Sequence, residues 1–151
     1  MIKLSKIIKE VVDILPIQDL EKNGISYSIE IENARKFEAT LEYKESYYIL
    51  SILPIYNQKT PTINFGSTDS NYFNINLSKL TKSPYSLKIL SAIFGLIRYW
   101  VDKYNVQEFN YLADGQVRKK LYSYYLEKHF KDFKNYKQEY GHNFLEKWKK
   151  I

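Results

Sequence analysis

The segment at residues 113–130, ADGQVRKKLYSYYLEKHF, concentrates side chains that could do chemistry. It holds five basic or imidazole groups and four aromatic rings in eighteen residues. Arginine and lysine bind phosphate and carboxylate groups, and aromatic rings beside them can stack on nucleic-acid bases. The same composition is also typical of a core helix with a solvated back. A helical wheel helps to separate these alternatives, because it divides the buried face from the exposed one.

On that wheel most lysines of the segment and its continuation lie opposite the apolar side chains. The water-facing back consists of Lys119, Lys120, Lys131 and Lys134. The apolar arc consists of Val117, Leu121, Tyr122, Tyr125, Leu126, Phe133 and Tyr136. Arg118 is the exception, since it lies in the middle of this arc. Either a partner satisfies its charge, or it faces a pocket and binds phosphate or carboxylate there.

The formal net charge of +6 is confined to the last quarter of the chain. Residues 1–114 carry thirteen Lys or Arg and thirteen Asp or Glu, whereas residues 115–151 carry ten and four. Such asymmetry indicates nucleic acid or an acidic partner. The side chains that could form one basic surface are Lys119, Lys120, Lys131, Lys134, Lys147, Lys149 and Lys150, with Tyr124 among them. The alternative is that these lysines only form the solvent-exposed face of a helix and contact no nucleic acid.

Several kinds of site are not indicated by the sequence. The chain has no cysteine, which excludes disulfides and thiolate metal sites. Its two histidines, His129 and His142, have a spacing that suits no common metal site, so we expect no metal. Glu30, Glu32, Glu38 and Glu42 are expected to be solvated. Charged residues interrupt the N-terminal apolar pattern, so we expect a chain that is neither secreted nor transmembrane.

The hydrophobic periodicity predicts a single α+β domain over residues 1–151. Apolar spacing predicts an N-terminal helix over 4–15, ended by Pro16. The predicted strands cover 25–31, 37–43, 47–55, 72–77 and 106–113, with a short strand near 63–65. Long helices are predicted from 83 to 104 and from 114 to 140, and a short helix within 141–151. The expected architecture is a mixed, largely antiparallel sheet of about five strands with these helices around it.

The C-terminal half resembles a known superfamily. SPYSLKILSAIFGLIRYWVDKY, VQEFNYLA and DGQVRKKLYSYYLEKHF follow one another as helix, strand and helix, and the last helix opens with an Arg-x-x-Leu-Tyr signature at Arg118, Leu121 and Tyr122. This order resembles the second half of a GNAT (N-acetyltransferase superfamily) domain. It is most similar to a diverged set of small proteins of phages and mobile elements. The resemblance implies a GNAT-like fold over residues 1–135.

The resemblance also implies where an active member would bind acetyl-CoA. A Gly-rich loop cradles the pyrophosphate in GNAT enzymes, but LTKSPYSLKIL at residues 80–90 contains no glycine. Lys79, Lys82 and Arg118 are the substitutes that this chain offers. In many members a tyrosine of the later helix protonates the departing thiolate. Tyr122 and Tyr125 match that position in two different registers, and the sequence leaves both open.

Three functions remain at this point. The leading hypothesis is a non-catalytic phage or mobile-element protein, active in the host cytoplasm or the virion, that binds a virion component or a host protein. Candidate anchors for such a partner are Trp100, Tyr124, Tyr140, Trp148 and the four lysines of the helix back, Lys119, Lys120, Lys131 and Lys134. The alternative is an acetyl-CoA-dependent N-acetyltransferase with an atypical cofactor site. The third is a lysine-rich nucleic-acid-binding accessory protein.

Overall fold

The computed structural model describes residues 13–55, 59–70, 75–76, 85–112, 116–137 and 145–151. For residues 112, 116–119, 121, 122, 137 and 145 only the backbone is described. The helix predicted over 4–15 lies outside this set except for its last three residues, which are not helical. The strand predicted over 72–77 also lies outside it, except for residues 75 and 76.

The described chain forms one seven-stranded mixed sheet. The strands are β1 (Ser26–Glu32), β2 (Phe37–Tyr43), β3 (Ser46–Pro54), β4 (Pro61–Thr68), β5 (Glu108–Leu112), β6 (Phe133–Lys137) and β7 (Leu145–Lys150). Their order across the sheet is β1-β2-β3-β4-β5-β7-β6. Only β4 and β5 pair in parallel; the other described pairs are antiparallel. β1 and β6 are therefore the two edges.

Two α-helices, α1 (Ser86–Lys103) and α2 (Gln116–His129), lie side by side on one face of the sheet. Phe94 of α1 makes an edge contact with Phe65 of β4 and stacks on Tyr125 of α2, with ring centroids 4.2 Å apart. The helices cover the apolar strand positions that alternation predicts, such as Phe37, Ala39 and Leu41, and these are buried. We call this the covered face and the opposite one the outer face.

A β-bulge in β1 redirects the end of that strand. Ile29 is opposite Ala39, but Ile31 is opposite Glu38, so Glu30 is the extra residue. Ile31 consequently lies on the outer face and is 40% exposed. Glu32 lies on the covered face, where its Oε1 accepts hydrogen bonds from Tyr99 Oη at 2.5 Å and Lys103 Nζ at 2.7 Å. The prediction that Glu32 is simply solvated is wrong, because the bulge turns it toward α1.

The chain before β1 lies across α1 at a glycine. Leu15 N donates to Ser91 O at 2.9 Å, and a Cβ on Gly95 would overlap the carbonyl group of Leu15. This close approach is possible because glycine has no side chain. Two 3-10 turns, Ile17–Asp19 and Glu21–Asn23, then lead into β1.

Arg98 connects α1 to the turn between α2 and β6. Its guanidinium makes two hydrogen bonds to the carboxylate of Asp132, at 2.8 and 2.9 Å, and two to that of Asp102. It also lies 5.0 Å from the centroid of the Phe130 ring. Hydrogen bonding to Arg98 lowers the pKa of Asp132. The arrangement fixes the point where the chain leaves α2 and enters β6.

We expect Asp132→Asn to lower the free energy of unfolding by about 1–2 kcal/mol at neutral pH, because it removes a partly exposed charge-assisted pair. The lowered pKa means that Asp132 contributes stability above the pKa of the unfolded carboxyl and loses it as the pH falls through its folded value. Urea unfolding from neutral to strongly acidic pH should show the difference between variant and wild type shrinking. A difference that stayed constant would contradict the ion pair.

The predicted fold class is wrong in its strand and helix content. The structure has seven strands and two α-helices among the described residues, with more strand than helix. The second long helix ends at His129 instead of continuing to residue 140, and β6 begins after three residues, 130–132. The short helix predicted within 141–151 is replaced over 145–150 by strand β7. The short strand predicted near 63–65 is the longer strand β4, Pro61–Thr68. The hairpin of β6 and β7 forms because Phe133 and Trp148 enter the core while Lys134 and Lys149 beside them are exposed.

None of the described helices is long and apolar enough to cross a bilayer.

Candidate functional site

β4 and β5 pair over only part of their length, and we call the place where their pairing ends the crevice. Their parallel ladder contains two rungs, Thr62 with Asn110 and Ile63 with Tyr111, whereas β4 continues to Thr68. Along the chain, residues 69–85 separate the carboxyl end of β4 from α1, and residues 113–115 separate that of β5 from α2. In open α/β sheets, ligands bind at this end, where neighbouring parallel strands diverge. Position therefore makes this crevice the first candidate site.

The chain itself occupies the β4 side of the crevice. Ser67 N donates to Asn76 O at 3.0 Å, and Asn76 N donates to Ser67 O at 2.8 Å. β3 pairs with the other edge of β4. Asn76 therefore lies along the same edge that β5 uses at Thr62 and Ile63. A ligand that pairs with this edge at Ser67 would first have to displace Asn76.

The described side chains near the crevice are polar and mostly buried. Asn110 is fully buried, and Thr62 and Thr68 nearly so. Tyr111 Oη lies 3.2 Å from Ser123 Oγ of α2, and burial raises the pKa of Tyr111 to about 12. This phenol therefore stays protonated at neutral pH. Thr62, Thr68 and Asn110 lie on the outer face, whereas the contact between Tyr111 and Ser123 connects β5 to α2 on the covered face.

Tyr125, one of the two candidate catalytic tyrosines, is part of the core. It is completely buried, its ring is parallel to that of Phe94, and Tyr124 packs against its edge. Burial is the main cause of its raised pKa, with Ser91 opposing it. A side chain so enclosed does not reach a ligand in solvent. This placement favours a packing role for Tyr125.

The other residues implied by the GNAT resemblance are described incompletely. Arg118 and Tyr122 lie in α2, in its first and second turns, but their side chains lie outside the described set. Lys79 and Lys82 also lie outside the described ranges. A role for Arg118 and Tyr122 can be argued only from their backbone positions, and a role for Lys79 and Lys82 only from the sequence.

The predicted partner-binding residues fall into separate groups. Trp100 is fully buried and Trp148 is 3% exposed, so both belong to the core, where the Trp148 ring contacts Tyr111. Tyr124 is half-buried beside Tyr125, and Tyr140 lies outside the described residues. Lys120 and Lys131 are exposed, whereas the side chain of Lys119 is not described. Lys134 is exposed too, but it lies on β6 and not on the helix back.

Lys134 belongs to a basic surface that the helical wheel did not predict. The outer face of the β6–β7 hairpin carries Lys134 and Tyr136 from β6 and Lys147 and Lys149 from β7, and we call these four residues the basic edge. The register places Lys134 opposite Lys149 and Tyr136 opposite Lys147. Tyr136 is 46% exposed. The wheel had placed this tyrosine on the apolar arc of a helix.

A second concavity, of about 540 Å³, lies between the segment at residues 14–18 and α1. Its wall includes Ile14, Ile17 and Gly95, with Arg98 and Lys103 at the side. Both cations are already paired, Arg98 with two aspartates and Lys103 with Glu32. The groove thus combines apolar walls with charges that the fold itself neutralises.

In the part of the chain that the structure describes, His129 and the carboxylates do not form a metal site. Burial lowers the pKa of His129, which favours the neutral imidazole at neutral pH. Within the described ranges, no three histidine, aspartate or glutamate side chains come together in a way that could hold a metal ion.

Comparison of the chain with known protein families, with curated proteins and with solved structures found no match.

Proposed function

We propose that this chain is a non-catalytic binding protein of a phage or mobile element, a diverged relative of GNAT domains that acts through contact with a macromolecular partner. The order α1, β5, α2, with Arg118 in the first turn of α2, supports the relationship. The partner that we propose is a virion component or a host protein.

One observation carries the non-catalytic assignment: Asn76 occupies the edge of β4 in the crevice between β4 and β5. Its two hydrogen bonds with Ser67 use the backbone donor and acceptor that a ligand at this edge would need. The burial of Tyr125 supports the same assignment, because it leaves this tyrosine without access to a substrate. The absence of glycine from residues 80–90 further weakens the case for a phosphate cradle.

Surface features support a role in partner binding. Ile31 and Leu53, both on the outer face, are exposed large apolar side chains. The free edges of β1 and β6 pair with no other described strand, and exposed sheet edges are a common site for an added strand from another protein.

Isothermal titration calorimetry with acetyl-CoA tests the assignment directly. We expect no saturable heat up to millimolar cofactor and no acetyl transfer to free amines or to the chain's own lysines. Coenzyme A without the acetyl group serves as the matched ligand control. Saturable binding of acetyl-CoA together with turnover would replace the proposal by the acetyltransferase alternative.

A further inference from the structure

The basic edge holds like charges in direct opposition. Lys134 and Lys149 form a cross-strand pair, an arrangement that weakens an antiparallel ladder unless something compensates it. Neither ammonium, nor that of Lys147, makes an ion pair with any residue that the structure describes. The hairpin therefore keeps three cations close together on one face, although folding alone does not require them there.

An aromatic ring lies among these cations. Lys134 Nζ and Lys149 Nζ are each 5.6 Å from the centroid of Tyr136. Attraction between an ammonium and the face of a ring holds such groups together. Tyr136 is nevertheless 46% exposed, the largest exposed fraction among the described aromatic side chains. The surface thus presents positive charge and an accessible ring at the same place.

The carboxylates near the basic edge do not cancel its charge. Glu108 of β5 is opposite Lys149, and its Oε1 accepts a hydrogen bond from Thr60 at 2.8 Å. Glu146 of β7 lies on the covered face and is buried. Asp132, at the start of the hairpin, is bound by Arg98. Among the described residues, the outer face here has one carboxylate and three lysines, so the net charge of these groups is positive.

We propose that the basic edge binds single-stranded nucleic acid, with the lysines contacting phosphates and Tyr136 stacking on a base. The inference goes beyond the proposed function, because it adds single-stranded nucleic acid to the partners proposed there. Lysines beside an exposed ring suit this ligand because every unpaired base presents a face for stacking. Duplex bases are stacked on one another and do not present that face. An acidic peptide would satisfy the lysines but would leave the ring without a matching group.

Fluorescence anisotropy with a short labelled oligothymidylate tests the proposal. The wild-type chain should bind saturably at low salt, and an unlabelled duplex should compete less well than the unlabelled single strand. Replacing Lys134, Lys147 and Lys149 together by glutamine should weaken binding and reduce the slope of log affinity against log salt by about 2. Tyr136→Ala should weaken binding roughly 10- to 100-fold, whereas Tyr136→Phe should retain it.

The matched control replaces Lys22, Arg35 and Lys36 by glutamine. It removes the same number of positive charges from exposed positions next to β1, at the opposite edge of the sheet. Thermal unfolding of each variant checks that the fold is intact; removing the Lys134–Lys149 opposition should leave the midpoint unchanged or raise it. Equal loss of binding in both triple variants would overturn the assignment to the basic edge.

The remaining outcomes separate this inference from the proposed function. No binding of wild type to the oligonucleotide at low salt, with acetyl-CoA also inert, would overturn the nucleic-acid inference and leave the proposed binding role standing. Binding to vesicles of anionic lipid that is as strong as binding to the oligonucleotide, and insensitive to Tyr136→Ala, would also overturn it. Acetyl-CoA binding with turnover would overturn the proposed function itself.

Discussion

Trp100→Ala is expected to lower the free energy of unfolding by about 3–5 kcal/mol, as is usual when a large buried aromatic side chain is truncated. Trp100 is among the largest fully buried side chains of the described core. Its Nε1 also donates to Asn33 O at 2.9 Å, which ties α1 to the turn between β1 and β2. Asn33 in turn shapes that turn, because its Oδ1 accepts from the backbone N of Arg35 and of Lys36.

Chemical denaturation monitored by circular dichroism measures the effect, and Trp100→Phe separates packing from hydrogen bonding. The phenylalanine variant keeps an aromatic ring but leaves Asn33 O without its donor, so its loss should be roughly 1–3 kcal/mol. If Trp100→Ala cost no more than Trp100→Phe, the burial of this side chain in the core would be contradicted.

Gly95→Val is expected to destabilise the protein by about 3 kcal/mol, because a side chain at this position overlaps the backbone of Leu15. A backbone group cannot move aside as a flexible side chain can, so the segment at residues 13–20 must separate from α1. The hydrogen bond from Leu15 N to Ser91 O would be lost with it. Gly95→Ala should also destabilise the protein, but by less, because alanine is about 1 kcal/mol more favourable than glycine inside a helix and this gain offsets part of the overlap.

Hydrogen exchange at the Leu15 amide distinguishes this local separation from general unfolding. We expect the amide to lose protection in Gly95→Val under conditions in which the core amides of β3 remain protected. A valine variant as stable as wild type, with Leu15 still protected, would contradict the close packing of this segment on α1.

Local patterns in the sequence were sufficient for the first half of the sheet. The strands predicted over 25–31, 37–43 and 47–55 correspond to β1, β2 and β3 within a residue or so at each end, because alternation places one apolar face on the core. The helix predicted from 83 to 104 contains α1, Ser86–Lys103, and the strand over 106–113 contains β5. The β1 bulge was not predictable, since alternation continues through Glu30 in the sequence and breaks only in the pairing.

The C-terminal quarter was predicted poorly because two periodicities compete there. The lysines and aromatic residues after His129 also fit the polar and apolar faces of a longer helix. This periodicity predicts a helix to residue 140, whereas α2 ends at His129. The same residues fit a hairpin equally well, with Phe133 and Trp148 inward and Lys134 and Lys149 outward. In the sequence, Gly141-His142-Asn143 between two aromatic-containing runs was the available signal that the helical pattern ends. The excess of positive charge in this quarter is evident from the sequence, but the position of these lysines on the basic edge depends on the pairing of β6 with β7.

The candidate site was harder to predict from the sequence than the C-terminal hairpin, because its geometry depends on long-range contacts. No local pattern predicts that Asn76 pairs with Ser67, because this pairing depends on the arrangement of the whole sheet. Burial of Tyr125 follows from the side-by-side packing of α1 and α2 through Phe94, which a wheel of one helix cannot supply. The wheel did place Tyr125 on the apolar arc, and its burial agrees with that assignment.

An amide NMR titration with acetyl-CoA tests the central claim most directly, because it reads the crevice residue by residue. If the chain is a binding protein whose crevice edge is occupied by Asn76, the amide signals of Ser67, Asn76 and Asn110 should not shift at millimolar acetyl-CoA, and the Ser67 amide should keep its slow hydrogen exchange. Saturable shifts at these three amides, with faster exchange at Ser67 as Asn76 is displaced, would contradict the account.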